Sequence, residues 1–230
     1  WIGPLRRRLQ SPDAEIVAGT VVAVSALSDA KPVPEVVELL TQISARDQLP
    51  DEIRLQAFVA IPRSSRNADT AGVEFLCDRL SVEQPVSIRA LAVDILVSTP
   101  LSSEHLQSVA QATSATGPME LRRLMEMFAR SKDSQVGFRL VDALGKSPVA
   151  SSLTIERLRQ QLAGFGDTVR RRAEPLFAEI ERDNREKILQ LESIVKLVDG
   201  GDIRRGQQVF HNSKAACLSC HGMGYLGGRV

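Results

Sequence analysis

The chain has 230 residues, 43% of them hydrophobic and 25% charged, which is the composition of an ordinary globular protein. Its net charge of +1 offers no electrostatic footprint for nucleic acid. No apolar run approaches the ~20 residues of a membrane span, and the length suits one large domain or two small ones.

Residues 12–200 read almost entirely as helix, because apolar residues recur at three and four and strand-like alternation is scarce. Pro32, Pro34, Pro50, the polar stretch 63–67, Pro85, Pro100, Gly117, Pro118, 145–148 and 164–166 punctuate the pattern. The spacing predicts helices over about 13–28, 34–45, 51–61, 70–81, 85–98, 103–113, 118–130, 134–145, 152–163, 167–182 and 184–198. Pro118 suits a first helical turn, and Asp133 and Asp167 suit N-caps. Pro175 is expected to end or kink its helix.

The helical pattern repeats along the chain. Pro50-Asp-Glu-Ile-Arg-Leu-Gln-Ala57 and Pro85-Val-Ser-Ile-Arg-Ala-Leu-Ala92 match at Pro, Ile, Arg and Ala with an offset of 35. Val37-Glu-Leu-Leu40 and Val73-Glu-Phe-Leu76 match with an offset of 36. Alternating helices at this period predict helix pairs stacked into a HEAT- or armadillo-type α-solenoid.

The helical part nominates no catalytic group. It has no Gly-rich phosphate loop, nucleophile elbow or paired carboxylates. His105 is expected at a helix start in a solvated or capping role. Arg54 and Arg89 are expected to bridge neighbouring repeats. Arg170, Arg171 and Arg172 read as a solvated face, paired along their helix with Glu174, Glu179 and Glu181. Met119, Met125 and Met127 read as core, and Cys77 as a small buried hydrophobe.

Residues 183–200 read as a final amphipathic helix, a connector to the C-terminal segment. Asp202 caps a helix running to about Phe210. Then comes Cys217-Leu-Ser-Cys220-His221, and after it the Gly-rich stretch 222–228. Cys-x-x-Cys-His is the attachment signature of a c-type haem. Two thiols three residues apart sit on one face of a helical turn, where they can add across two haem vinyl groups. The histidine after them can ligate the iron. The pattern has other readings: a structural zinc site needs a further ligand that no second CxxC pair supplies, and a thioredoxin-like dithiol lacks a surrounding βαβ pattern.

The order Gly-Asp-x-x-Arg-Gly-x-x-Val-Phe, CxxCH, Gly-rich loop resembles the start of a class I cytochrome c domain. More narrowly, Lys214 to Gly228 resembles the planctomycete-type haem-binding (cytochrome c) domain that comes after HEAT-like repeats in large membrane-bound dehydrogenases. The resemblance is specific over 201–230 and looser over 120–181. It implies covalent haem c on Cys217 and Cys220, with His221 as the proximal iron ligand. Val209 and Phe210 would line the haem edge, and Tyr225 would belong to the surrounding loop. It also implies an exported protein, periplasmic or in the cell envelope. Its partners would be an upstream dehydrogenase domain in the intact chain and a separate redox protein.

The last thirty residues carry +3, against −2 over the first two hundred, which would favour an acidic redox partner. Met223 is excluded as the second axial ligand, because two residues span at most about 7 Å of chain. In the family a later methionine takes that role, and His211 is a remote alternative. Gly206 would allow close packing by another helix, which the resemblance places further along. A haem domain needs roughly 80 residues. With Val230 nine residues after His221, the chain is expected to be a fragment that holds no stable six-coordinate haem.

The expected architecture is thus all-α: a HEAT/armadillo-like α-solenoid over 1–182, a connector helix over 183–200 and the truncated start of a class I cytochrome c domain over 201–230. Two functions compete. One is electron transfer by the C-terminal module of a larger oxidoreductase, and the other is a non-catalytic protein-interaction scaffold.

Overall fold

The computed structural model describes residues 2–26, 33–198 and 200–228. All regular structure among them is helical, apart from two isolated β-bridges, Ser81 with Thr116 and Met223 with Leu226. The chain divides into two compact units, Trp1–Glu181 and Arg182–Val230. No described helix is long and apolar enough to cross a membrane.

The first unit holds α1 (Ile2–Leu9), α2 (Ala14–Ser25), α3 (Pro34–Ser44), α4 (Asp51–Ala60), α5 (Thr70–Asp78), α6 (Val86–Ser98), α7 (Ser103–Ala112), α8 (Pro118–Phe128), α9 (Ser134–Leu144) and α10 (Ile155–Leu162), and the N-terminal part of α11 (Asp167–Val198). Helices two places apart stack on one another. Thus α2, α4, α6 and α8 form one row, and α5, α7 and α9 form the other. This is an α-solenoid-like stack, in which each pair buries the apolar face its neighbour exposes.

Local chemistry sets the helix starts. Asp13, Asp69, Ser102, Asp133 and Thr154 each accept a hydrogen bond from a backbone N–H in the first turn of their helix. Pro34 and Pro118 stand in first turns, where the missing N–H costs nothing. Each apolar stripe then turns inward. Leu55, Leu76, Ile95, Leu121, Met125 and Phe128 are all fully buried in one continuous core. Each such side chain contributes about 1.5–3 kcal/mol.

The repeat is visible in the backbone. Pro50 and Pro85 precede α4 and α6 with nearly identical angles, φ −53°, ψ 142° and φ −53°, ψ 143°. Their partner arginines tie neighbouring helices together. Arg54 donates to the Ser44 carbonyl at 3.0 Å and lies 3.7 Å above the Phe75 ring. Arg89 donates to Glu120 on α8 at 3.0 Å and to the Val82 and Gln84 carbonyls. Further pairs continue the ladder: Asp51 with Arg79, Glu126 with Arg157, and Asp142 with Arg172.

Several expectations are corrected. Helix α1 precedes the first of the expected helices. Its Leu9 is fully buried, and Arg46 clamps the Leu9 and Ser11 carbonyls at 3.3 and 3.0 Å. Pro175 does not end its helix, and the expected helices 167–182 and 184–198 are the single helix α11. Buried Val169 and Ala173 before Pro175, and Leu176, Phe177 and Ile180 after it, anchor both flanks. That burial outweighs the ~3 kcal/mol cost of an internal proline. Asp167 is the first residue of α11 and pairs with Arg170 rather than standing as an N-cap. Arg172 reaches across to Asp142 on α9, not along its own helix. Met119 is 74% exposed, whereas Met125 is core. The expected helical residues 27 and 28, Pro32, Asp199 and Arg229 lie outside the described residues.

Candidate functional site

The second unit comprises the C-terminal part of α11, then α12 (Ile203–His211), a 3-10 turn over Cys217–Ser219 and the loop 222–228. None of its described residues is buried. Its shape is therefore set by caps, turns and glycine contacts rather than by an apolar interior.

Asp202 starts α12 by accepting from the Arg205 N–H at 3.0 Å. Asn212 stops it with an extended backbone, and its side chain accepts from the Lys214 N–H at 2.8 Å. The Ala216 N–H then returns to the Asn212 carbonyl at 2.9 Å. Ala216 holds a left-handed conformation, φ 52°, which costs a non-glycine residue about 1–2 kcal/mol. That reversal delivers the chain into the cysteine turn.

Within the turn, the N–H groups of Cys220 and His221 both approach the Cys217 carbonyl, at 3.3 and 2.9 Å. Residues three apart in such a turn share one side. The turn therefore presents the Cys217 and Cys220 side chains together. Both thiols are free, Cys217 half-buried and Cys220 exposed. The Ser219 hydroxyl donates to the Ala216 carbonyl at 2.5 Å and lies 3.7 Å from Cys220 Sγ. The His221 side chain is exposed.

The glycine loop folds back on this turn. Gly228 N–H donates to the Leu218 carbonyl at 2.9 Å, and Met223 and Leu226 bridge each other. A Cβ on Gly227 would strike the His221 carbonyl, and one on Gly228 would strike the Ser219 carbonyl. Gly224 and Gly227 also take positive φ angles, 64° and 106°. At Gly227 the positive φ coincides with the close approach, a combination only glycine tolerates.

Helix α12 packs against the cysteine turn, which places Val209 (55% exposed) and Phe210 (half-buried) on the element beside it. The Phe210 and His211 rings meet edge-on at 6.1 Å. Tyr225 stands fully exposed at the tip of the loop. A Cβ at Gly206 would meet nothing within 4 Å. Sequence reasoning missed Ala216 and Ser219. Asn212, a common helix terminator, was the one signal of the reversal between α12 and the turn.

The residues fit a covalently tethered haem. Two accessible, unlinked thiols share a turn, one imidazole comes directly after them, and Gly227 and Gly228 of the loop that follows lie against the turn's backbone. Among the described residues, no three His, Cys, Asp or Glu side chains gather as a cage for a metal ion. The remaining chemistry-bearing residues lie apart. His105 Nε2 is 3.5 Å from Thr70 Oγ1, between α7 and α5. Cys77 is half-buried rather than fully enclosed, and packs against the core of the first unit. A cleft of about 570 Å³, lined by Arg159, Asp167, Arg170, Arg171, Glu174 and Phe177, also belongs to the first unit. Its charges are largely paired, Arg170 with Asp167 and Arg159 with Glu174.

No family model, curated protein or solved structure matches this chain.

Proposed function

We propose that the second unit carries a c-type haem, held by thioethers to Cys217 and Cys220 with His221 as an axial ligand, and that the chain serves electron transfer in a larger exported oxidoreductase. The observation that carries this reading is the folded CxxCH turn itself. It has two free thiols on one side, an imidazole next in sequence and a glycine loop closed over its backbone. The strained Ala216 supports it, since such conformations persist where a site demands them. When bound, the haem supplies one-electron Fe(III)/Fe(II) chemistry, with a potential set by ligation and burial.

The chain's own residues would have four tasks. Cys217 and Cys220 tether, and His221 ligates. Val209 and Phe210 offer apolar surface, with Tyr225 in the loop. The glycine backbone at 227 and 228 lets the loop lie close. The first unit would be HEAT- or armadillo-like and would hold this module beside a dehydrogenase domain, whose electrons pass on to a separate redox protein.

The test is an absorption spectrum of protein produced with haem-attachment machinery in an exporting host. A sharp reduced α band surviving acid–acetone extraction supports the reading. Colourless protein, with both thiols free or holding zinc, refutes it.

A second reading, a binding scaffold without redox chemistry, is favoured by one observation in the first unit. Val21, Val22, Gln56, Val59 and Leu91 line an apolar cleft of about 340 Å³ across α2, α4 and α6. The same spectrum separates the two readings.

A further inference from the structure

A cleft of about 500 Å³ opens in the first unit, between the turn that joins α6 to α7 and the turn that joins α8 to α9. Val97, Leu101, Leu106 and Met127 give it apolar walls, with Arg130 and Lys132 beside them. Leu101, Leu106 and Met127 are half-buried, Val97 is 41% exposed, and both cations are exposed. The volume is that of a ligand site, but a cleft with such exposed walls does not enclose a small molecule as those sites do.

The charges around it are not equivalent. Its two acids are engaged within the chain. Glu126 accepts from Arg157 at 3.0 Å, and Asp133 caps α9 by accepting from the Gln135 N–H at 2.8 Å. Its two cations are not engaged. Among the described residues, neither Arg130 nor Lys132 has a hydrogen-bond or ion-pair partner, whereas Arg79, Arg89, Arg123, Arg157 and Arg172 of the same unit are all paired. A cation just past a helix C-terminus is favoured by the helix dipole. That explains where Arg130 stands in the chain, but not the apolar surface beside it.

We infer that this cleft docks a short extended segment of a partner protein, in which an aspartate or glutamate is flanked by apolar side chains. Two unengaged positive charges beside an apolar wall complement that chemistry and no other simple one. Consecutive repeats of a solenoid build elongated surfaces of this kind. A chain lying across both turns sinks apolar side chains between Leu101, Leu106 and Met127. It brings a neighbouring carboxylate to Arg130, whose planar fork accepts two oxygens at once, and to Lys132. The inference is independent of the haem, since every residue it uses belongs to the first unit.

The test selects random dodecapeptides displayed on phage against the whole chain, then measures the Kd of the most enriched one by fluorescence anisotropy. That peptide should carry Asp or Glu next to apolar residues. Arg130→Glu combined with Lys132→Glu should raise its Kd about tenfold at low salt, because attraction becomes repulsion. The difference should shrink as salt is added. Val97→Asp should also raise Kd, by placing a charge in the apolar wall. All three positions are exposed, so the helical circular dichroism should not change. A peptide with its acids replaced by lysine should prefer the charge-reversed protein to the wild type. A selection that enriches nothing, or only peptides without acids, overturns the proposal. So does a Kd unmoved by the charge reversal or by Val97→Asp. Dodecanoate binding where no peptide binds would assign the cleft to a free apolar acid, and a wild-type dimer that the charge reversal dissociates would assign it to a second copy; either result also overturns it.

Discussion

Gly227 lies against the carbonyl of His221 so closely that no Cβ fits between them, and its φ of 106° is one that side chains disfavour. Two independent constraints thus select glycine at one position. Gly228 repeats the close approach at Ser219 while its N–H binds the Leu218 carbonyl at 2.9 Å. The loop is fastened to the cysteine turn through these backbone contacts.

Gly227→Ala should therefore free the loop from the turn. The left-handed strain alone costs about 1–2 kcal/mol, before the collision is counted. Limited proteolysis should cut residues 222–228 faster in the variant. The yield of the proposed covalent haem per chain should fall, read as a pyridine haemochrome. The melting temperature of the first unit should not move. Unchanged proteolysis would mean that the loop does not depend on this contact.

The ladder of ion pairs has one buried rung. The side chains of Arg89 and Glu120 are only 15% and 7% exposed, and Glu120 reaches back over Gly117 at the start of α8. Arg89→Ala should destabilise the first unit by about 3 kcal/mol, because it strands a carboxylate away from water. It should cost more than Glu120→Ala, since Arg89 also serves the Val82 and Gln84 carbonyls. Arg89→Met combined with Glu120→Leu should recover most of the loss. Urea denaturation of the three variants checks the order.

Asp142 and Arg172 form a two-bond pair at 2.7 and 2.9 Å on the surface between α9 and α11. The hydrogen bond from Arg172, along with its charge and the nearby Lys146 and Arg139, holds the Asp142 carboxyl below the usual carboxylate range, against a smaller opposing effect of burial. A carboxyl depressed in the folded state contributes stability above its unfolded pKa of about 3.9 and loses it as pH falls through the folded value. The melting-temperature gap between wild type and Asp142→Asn should thus stay constant from pH 7 to about 5 and shrink at lower pH. A gap that widens on acidification would contradict the assignment.

Much of the first unit was legible because its determinants are local. Pro50 and Pro85 mark equivalent helix starts, Asp133 caps where its position suggests, and the three–four spacing finds each buried face. Errors arose where tertiary burial overruled a local rule. Pro175 sits inside α11 because Ala173, Leu176 and Phe177 are buried around it. Met119 has helical spacing yet faces outward. At the candidate site, the spacing of Cys217, Cys220 and His221 was plain in sequence. The left-handed Ala216 was not, because nothing in alanine's own preferences announces it. The neighbours impose it: the Asn212 carbonyl, which binds the Ala216 N–H, and the Ser219 hydroxyl, which binds the Ala216 carbonyl.

The three cysteines should separate cleanly by reactivity. Burial on α5, reinforced by the charges of Asp78 and Glu74, pushes the Cys77 thiol up to about 12. Thiolate is the reactive form, so Cys77 stays inert near neutral pH. Cys220 is exposed and Cys217 half-buried. In cofactor-free native protein, a thiol reagent should modify two of the three cysteines, Cys220 ahead of Cys217, and reach Cys77 only after denaturation. With the proposed haem attached through both cysteines, native protein should yield no reactive thiol and denatured protein one, because thioethers survive unfolding. Mass spectrometry of the labelled peptides assigns each count. Two titratable thiols in denatured, haem-containing protein would mean attachment through a single cysteine, and three would mean none. The experiment thus measures the tethering chemistry of the second unit against an internal standard supplied by the first.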